Sequence, residues 1–460
     1  MQIPKVWVLL TAILSALAVG IAGYFVLQPP GDLLQDAGFS PSRITPNADG
    51  QDDITIFSYT LSGEADVTLA FTNNEGQEYV FRSGQPRVKG DYRVEFSGVV
   101  DGFQLAGETW EGTLERRLLP DGIYTWILTA KDQDGQEETK TGTLEIADGD
   151  SDLPLIAYFE VGPTIFTPNQ DGIDDRVDIN IFLSKPAFLT VYLEDADGVQ
   201  YYISERQGGR DPGDPGAHVF DYDGGVDQSM RPPDNGDYTL YAVAQDEVGQ
   251  RLVRTAAVTI KDSGLPQVEI IPQATGGTVC FEAAPYDEAY YTSVNNEGEK
   301  ITQPETVCSE LTTLSVPYGD LLLFHLTVRN YGDTPIRTAG PFPGTVYDFD
   351  QVAASLGAYN QSGVWRVGIM CETSQSNYPW RWAVAPLKDL TPVYDGEEDV
   401  TYYYLQPGQR GEVWGAIRMT EIVKARNPQP CWAGLIHEDV QIPSNQDNVG
   451  RREVYIEPPP

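Results

Sequence analysis

The chain has 460 residues, with 68 Asp+Glu against 30 Lys+Arg and a formal net charge of −38. That balance excludes a nucleic-acid-binding or anionic-lipid-binding surface and leaves divalent cations and basic partners as favourable company. Length allows several domains.

The first predicted element runs from Val6 to Leu27, 22 residues without a charge. As a helix it reaches about 33 Å, enough to cross a hydrocarbon core of roughly 30 Å. Its length favours an uncleaved transmembrane signal-anchor over a cleaved signal peptide. Lys5 precedes the run and Asp32 and Asp36 follow it, so residues 1–5 are expected in the cytoplasm and residues 31–460 outside the cell membrane. Membrane lipid is thus an expected partner through 6–27, and Ala12, Ala16 and Gly20 form a small-residue stripe suited to self-association of the anchor. All acidic residues lie beyond the anchor, as do all but one of the basic residues.

Residues 28–42 are expected to be a tether, and an acidic turn follows. Thr45-Pro46-Asn47-Ala48-Asp49-Gly50-Gln51-Asp52-Asp53 returns as Thr167-Pro168-Asn169-Gln170-Asp171-Gly172-Ile173-Asp174-Asp175, identical at seven of nine positions and displaced by 122 residues. Repetition at domain spacing marks tandem modules, placed at 43–148 and 154–262. Within them short runs alternate apolar and polar residues between Gly, Asp, Asn and Pro: ADVTLAFT over 65–72, FLTVYLED over 188–195. Such runs predict half-buried strands. Both modules close on a turn, an aromatic-bearing strand and an acidic turn, LPDGIYTWILTAKDQDGQ (119–136) and PPDNGDYTLYAVAQDEVGQ (232–250). Residues 147–153 and 262–266 read as interdomain hinges.

The opener, the strand after the Pro-Asp-Gly turn and the late Asp/Gly turn resemble the Ig-like domain of the flagellar hook-capping protein and the related C-terminal modules of gliding-motility-associated surface proteins. The likeness rests on 45–53, 119–135, 167–175 and 232–249. The family's central Trp-Asp-Gly is replaced by Phe96-Ser97-Gly98 and Phe220-Asp221. The resemblance implies an Ig-like β-sandwich in a surface context, with no activity attached. The fold class expected for the whole chain is therefore all-β, tandem Ig-like β-sandwich domains after an N-terminal transmembrane helix.

Residues 265–460 change character, holding all four cysteines and five of eight tryptophans. Gly319–Gly340 and Leu405–Met419 resemble a further bacterial surface Ig-like module, with an expected core about 316–457. Cys280, Cys308, Cys371 and Cys431 predict two disulfides in an exported chain. Of the three pairings, Cys280–Cys308 with Cys371–Cys431 closes the shortest loops and is the expected one. A helix is predicted over Tyr347–Leu356.

Calcium is the candidate cofactor. Side-chain oxygens of Asn47, Asp49 and Asp53 with the Gln51 carbonyl, and Asn169, Asp171 and Asp175 with the Ile173 carbonyl, alternate around a Gly as in a cation-binding loop. The competing reading is an Asx-turn that starts the first strand. A metal at Asp211, Asp214, Asp221, Asp223 and Asp227 is weighed against a solvated loop, which the Pro and Gly density favours. Tyr378, Trp380 and Trp382 are candidate glycan-binding residues, weighed against core packing, and Tyr402, Tyr403 and Tyr404 form a second aromatic run. His218, His325 and His437 sit in unrelated contexts and no catalytic motif is present, so no enzyme is expected. The functional expectation is a membrane-anchored bacterial surface protein for adhesion, envelope scaffolding or binding of a cell-surface protein or polysaccharide. A glycan-binding receptor and an extracellular hydrolase are the alternatives.

Overall fold

Alternating burial along the strands builds the chain. Thr55–Leu61 buries Thr55, Phe57, Tyr59 and Leu61, and turns the residues between them outward. With period-two side chains, that pattern presents one apolar face per strand and stacks sheet on sheet. The computed structural model describes residues 11, 13–19, 32–206, 211–274, 276–287, 299–304, 308, 312–396 and 398–459, and these are almost entirely strand and loop. The run 6–27 and its stripe of small residues fall largely outside the described residues. Residues 11 and 13–19 are helical, and among the described residues no helix is long and apolar enough to cross a membrane.

The first core lies between a three-stranded sheet (Leu34–Ser40, Thr55–Leu61, Gly90–Phe96) and a five-stranded sheet (Arg43–Ile44, Glu137–Ile146, Gly122–Lys131, Ala65–Thr72, Glu78–Arg87). Phe57, Phe71, Phe96 and Trp126 fill it from both sides. The expected tether 28–42 thus contains a strand. Leu34 is fully buried, and the Phe39 ring lies 4.5 Å from that of Phe57.

The second core repeats the plan. Ile156–Gly162, Val177–Leu183 and Gly216–Tyr222 face Gln200–Ile203, Phe188–Glu194, Gly236–Gln245 and Arg251–Ile260. In each unit a two-residue strand after a Pro-containing turn pairs in parallel with the last strand, Arg43–Ile44 on 145–146 and Ile165–Phe166 on 259–260.

Two strands of the first unit cross over. Val99–Asp101 and Thr113–Leu118 leave their own sheets and extend the sheet of the second unit, Thr113–Leu118 pairing antiparallel with Arg251–Ile260. Gln250 is fully buried, accepts the Leu118 amide and donates to the Asp150 and Asp152 carbonyls. Lys185 binds Asp150 at 2.6 Å and Asp246 at 3.1 Å. The segment 147–153, expected to be a hinge, is therefore pinned from both flanks.

The third core joins two larger sheets. One centres on Leu321–Asn330 and Arg410–Arg418, the other on Gln429–His437 and Trp365–Cys371. Phe324, Trp380 and Trp382 are among its buried side chains. Cys371 pairs with Cys431 directly across two antiparallel strands, and Cys280 with Cys308 beside the other sheet, matching the expected connectivity. A bridge of this kind contributes about 2–4 kcal/mol. The helix expected over Tyr347–Leu356 is instead the strand Thr345–Asp348 followed by one 3₁₀ turn, Ala353–Leu356. Tyr347 is drawn into the core, and Gly357 at φ 81° stops the turn.

Candidate functional site

The two acidic loops fold alike. In the first, Asp53 Oδ1 accepts the amides of Asn47 (3.0 Å) and Ala48 (2.8 Å), and Oδ2 that of Gly50 (2.7 Å). Asn47 Oδ1 accepts the Asp49 amide, and Asp49 Oδ1 the Gln51 amide. The Gln51 carbonyl accepts the Thr45 hydroxyl at 3.0 Å. In the second, Asp175 accepts the amides of Asp171 and Gly172, Asn169 that of Asp171, Asp171 that of Ile173, and the Ile173 carbonyl accepts the Thr167 hydroxyl. These are Asx-turns closed by an aspartate. Oxygens assigned as cation ligands are thus also the acceptors that hold each loop. Among the described residues no group of three or more His, Cys, Asp or Glu is arranged to hold a metal.

Where the loops differ is in what surrounds them. Residues 47–52 are exposed, whereas Asn169 and Asp171 are only 5% and 6% exposed. The second loop is seated on the third core. Tyr404 donates its hydroxyl to Asp171 Oδ2 at 2.9 Å, and His437 Nε2 lies 2.7 Å from the Gln170 carbonyl. That acceptor requires the proton on Nε2. The backbone of Gly172 lies against that of Ser362: a Cβ there would stand 2.0 Å from the Ser362 carbonyl oxygen. Gly363 is equally close to Asp171, where an added Cβ would be 2.1 Å from the carbonyl carbon. Two glycines at positive φ therefore let two backbones touch.

The expected hinge 262–266 takes part in the same contact. The Asp262 carbonyl accepts Asn169 Nδ2 from one side and the Thr334 hydroxyl from the other, and Asp333 accepts the Leu265 amide. Beneath the seat Glu438 is fully buried in its side chain. It receives Arg366 Nη1 at 2.7 Å, Arg381 Nη1 at 3.0 Å and the Gln361 amide at 2.8 Å, which positions the 361–363 turn. The His437 ring stacks on Trp365 at 4.2 Å.

Electrostatics at this junction depend on pH. Burial, then the charge of Asp171, pushes Asp175 up to about 6, while burial pushes His437 down to about 4. Burial also raises Asp171, and Tyr404 is raised by burial and then by the Asp171 charge. A raised carboxylate stabilises the fold fully below its unfolded value near 3.8, and that contribution is lost as pH rises through about 6. A depressed histidine does the opposite: its contribution is complete above its unfolded value of 6.5 and lost as pH falls through about 4. The two dependences offset one another, so His437→Gln should unmask the carboxylate. Its melting temperature should rise as pH is lowered from 7 to 5, and rise less once Asp175→Asn is added. A flat profile in His437→Gln would contradict the assignment.

Other candidate residues fall elsewhere. Trp380 and Trp382 are 0% exposed and Tyr378 1%, all in the third core, so their faces are not open to a sugar ring. Sandwich packing has taken the strand face that carries both tryptophans. The acidic loop is partly built rather than merely solvated: Arg176 binds Asp221 at 2.6 Å and Asp227 at 2.5 Å, and Asp223 accepts the Gly225 and Asp227 amides. Beside the junction a cleft of about 530 Å³ is lined by Asp171, Asp174, Asp395, Tyr394, Tyr402 and Tyr404 among others. Tyr394 is 65% exposed there. The aromatic run 402–404 supplies Tyr402 and Tyr404 to this surface, but two of its carboxylates, Asp171 and Asp174, come from more than two hundred positions away.

No protein-family model matches the chain, and no curated protein matches it in sequence. Solved structures that superpose in part include a tetra-tandem repeat from the extending region of a large adhesion protein, at 11% identity and TM-score 0.17, covering 87% of this chain and 81% of that one. A Ca²⁺-stabilised adhesin with which an Antarctic bacterium binds ice matches at 13% identity and TM-score 0.20, covering 89% and 83%. The alpha-2-macroglobulin of E. coli matches at 11% and 0.17, covering 94% of this chain and 23% of that one. TM-scores this low carry no argument about fold or role.

Proposed function

We propose that the protein is a bacterial surface protein, anchored by its N-terminal apolar run, that holds tandem Ig-like sandwiches in fixed relation for adhesion, envelope scaffolding or partner binding. The observation behind this reading is the coupling of successive cores, by crossing strands at 99–118 and by the seated loop at 167–175. Interfaces of that kind suit a spacer that must transmit orientation. A catalytic role is not part of the proposal. His218 is bound to Glu205 and to the Asp214 carbonyl, His325 lies 2.7 Å from Glu412, and His437 serves the junction, so each is engaged in its own local contact.

A second reading, glycan binding, has one specific observation in its favour: Tyr394 stands exposed in a cleft with carboxylates, an arrangement that offers an aromatic face beside hydrogen-bond acceptors. Protease treatment of spheroplasts separates the primary reading from an internal location. Loss of 31–460 with the N-terminal segment retained is the expected outcome, and a chain left intact would overturn it. On a glycan array the full chain should give a signal that Tyr394→Ala abolishes if the second reading holds.

A further inference from the structure

Acid outnumbers base by more than two to one in this chain, yet four arginines from three strands line one cleft of about 740 Å³ between the first and second cores. Arg82 and Arg87 lie on Glu78–Arg87, Arg116 on Thr113–Leu118 and Arg251 on Arg251–Ile260. Arg251 is neutralised by Glu115 at 2.6 Å. The other three form no ion pair among the described residues. Glu95 also lines the cleft, outside hydrogen-bond reach of them.

A neutral group bridges two of these guanidinium ions. Gln85 Oε1 accepts Arg82 Nη1 at 3.3 Å and Arg87 Nη2 at 2.9 Å. Arg82 lies over the Phe81 ring at 5.1 Å and Arg87 over Tyr92 at 5.3 Å, which fixes both planes. Arg87 Nε is buried and has no hydrogen-bond partner among the described residues. Burial, then the like charge of Arg87, holds Arg82 below the ordinary arginine value, with Arg116 adding to the effect. Like charges held together without a carboxylate are unfavourable unless an anion joins them. With 68 carboxylates in the chain, a glutamine at the bridging position leaves the positive field open to a ligand.

Guanidinium planes match tetrahedral oxyanions in bidentate fashion. The cleft is far larger than a bare oxyanion and takes a body of sugar size. A long polyanion would run onto the surrounding acidic surface and be repelled. We propose that this cleft binds a sugar-sized molecule bearing a phosphate or sulfate monoester, with Arg82, Arg87 and Arg116 on the oxyanion. The proposal goes beyond the scaffold reading and does not rest on it.

Calorimetric titration of the full chain with glucose 6-phosphate, glucose 6-sulfate, glucose and inorganic phosphate tests it. One or both esters should bind, glucose should not, and the two ester arms identify the oxyanion. Arg116→Gln, at an exposed position, should weaken binding about tenfold or more without changing the melting temperature. Arg43→Gln, in an exposed pair with Glu145 elsewhere, should leave it unchanged. Equal binding of glucose and its esters, no ester binding in the millimolar range, or unchanged binding in Arg116→Gln would overturn the proposal. Inorganic phosphate binding as tightly as the esters would overturn the sugar-sized body.

Discussion

Replacing Glu438 with alanine should destabilise the third core by about 3–5 kcal/mol, because it strands buried positive charge. Arg366 and Glu438 have side chains with no exposure, and Arg381 shares the same carboxylate oxygen. Burial presses against the charged form of Arg366, and the Glu438 charge is the first influence opposing that pressure. Glu438→Gln keeps an acceptor for the Gln361 amide but loses the charge, so it should fall between alanine and the native residue. Adding Arg366→Ala to Glu438→Ala should cost less than the two losses summed, since the second change removes the stranded ion. Thermal unfolding followed by tryptophan fluorescence reads the third core, which holds Trp365, Trp380 and Trp382. A loss below about 1 kcal/mol would mean that solvent reaches the triad, as it does in surface pairs.

Gly172→Ala should open the junction while leaving the cores folded. Its control is built into the repeat. Gly50 and Gly172 have φ of 82° and 81°, so alanine meets the same backbone strain at both, roughly 1–2 kcal/mol. Only at Gly172 does the new methyl meet a neighbour, the Ser362 carbonyl at 2.0 Å, whereas nothing lies within 4 Å at Gly50. The difference between the variants isolates that clash, expected at about 1–3 kcal/mol. Amide hydrogen exchange should speed up at 361–364 and around Tyr404 in Gly172→Ala and stay native in Gly50→Ala. Equal effects would show that strain alone is at work and that the seat contributes nothing.

How much of this was legible in the sequence depends on how far apart the interacting residues lie. The nonapeptide carries its own acceptors and donors within nine residues, so its turn chemistry is readable in place. Strands such as Ala65–Thr72 and Phe188–Glu194 announce themselves by alternation. The two cysteine pairs followed from loop length. By contrast, the opposite environments of two nearly identical loops are set by Tyr404, His437 and Ser362, which no local pattern connects to residue 171. Leu34–Ser40 was hidden by Pro, Gly and Asp around it, although Leu34 and Phe39 supply an apolar face. Thr113–Leu118 was missed because its partner strand belongs to the next repeat. Trp380 and Trp382 share a strand face, and alternation alone does not say whether that face meets water or a second sheet. The arginine cleft has the same origin, since its walls come from both repeats.

Fixed relation between the cores is the claim on which the functional reading stands. It is tested most directly by spin labels at exposed positions of the first and third cores, Val88→Cys and Leu387→Cys, in the full chain with its native disulfides intact. Pulsed dipolar measurement in the presence of chelator should give one narrow distance distribution, which Gly172→Ala broadens. A broad distribution in the otherwise native chain, unchanged by Gly172→Ala, would contradict the account.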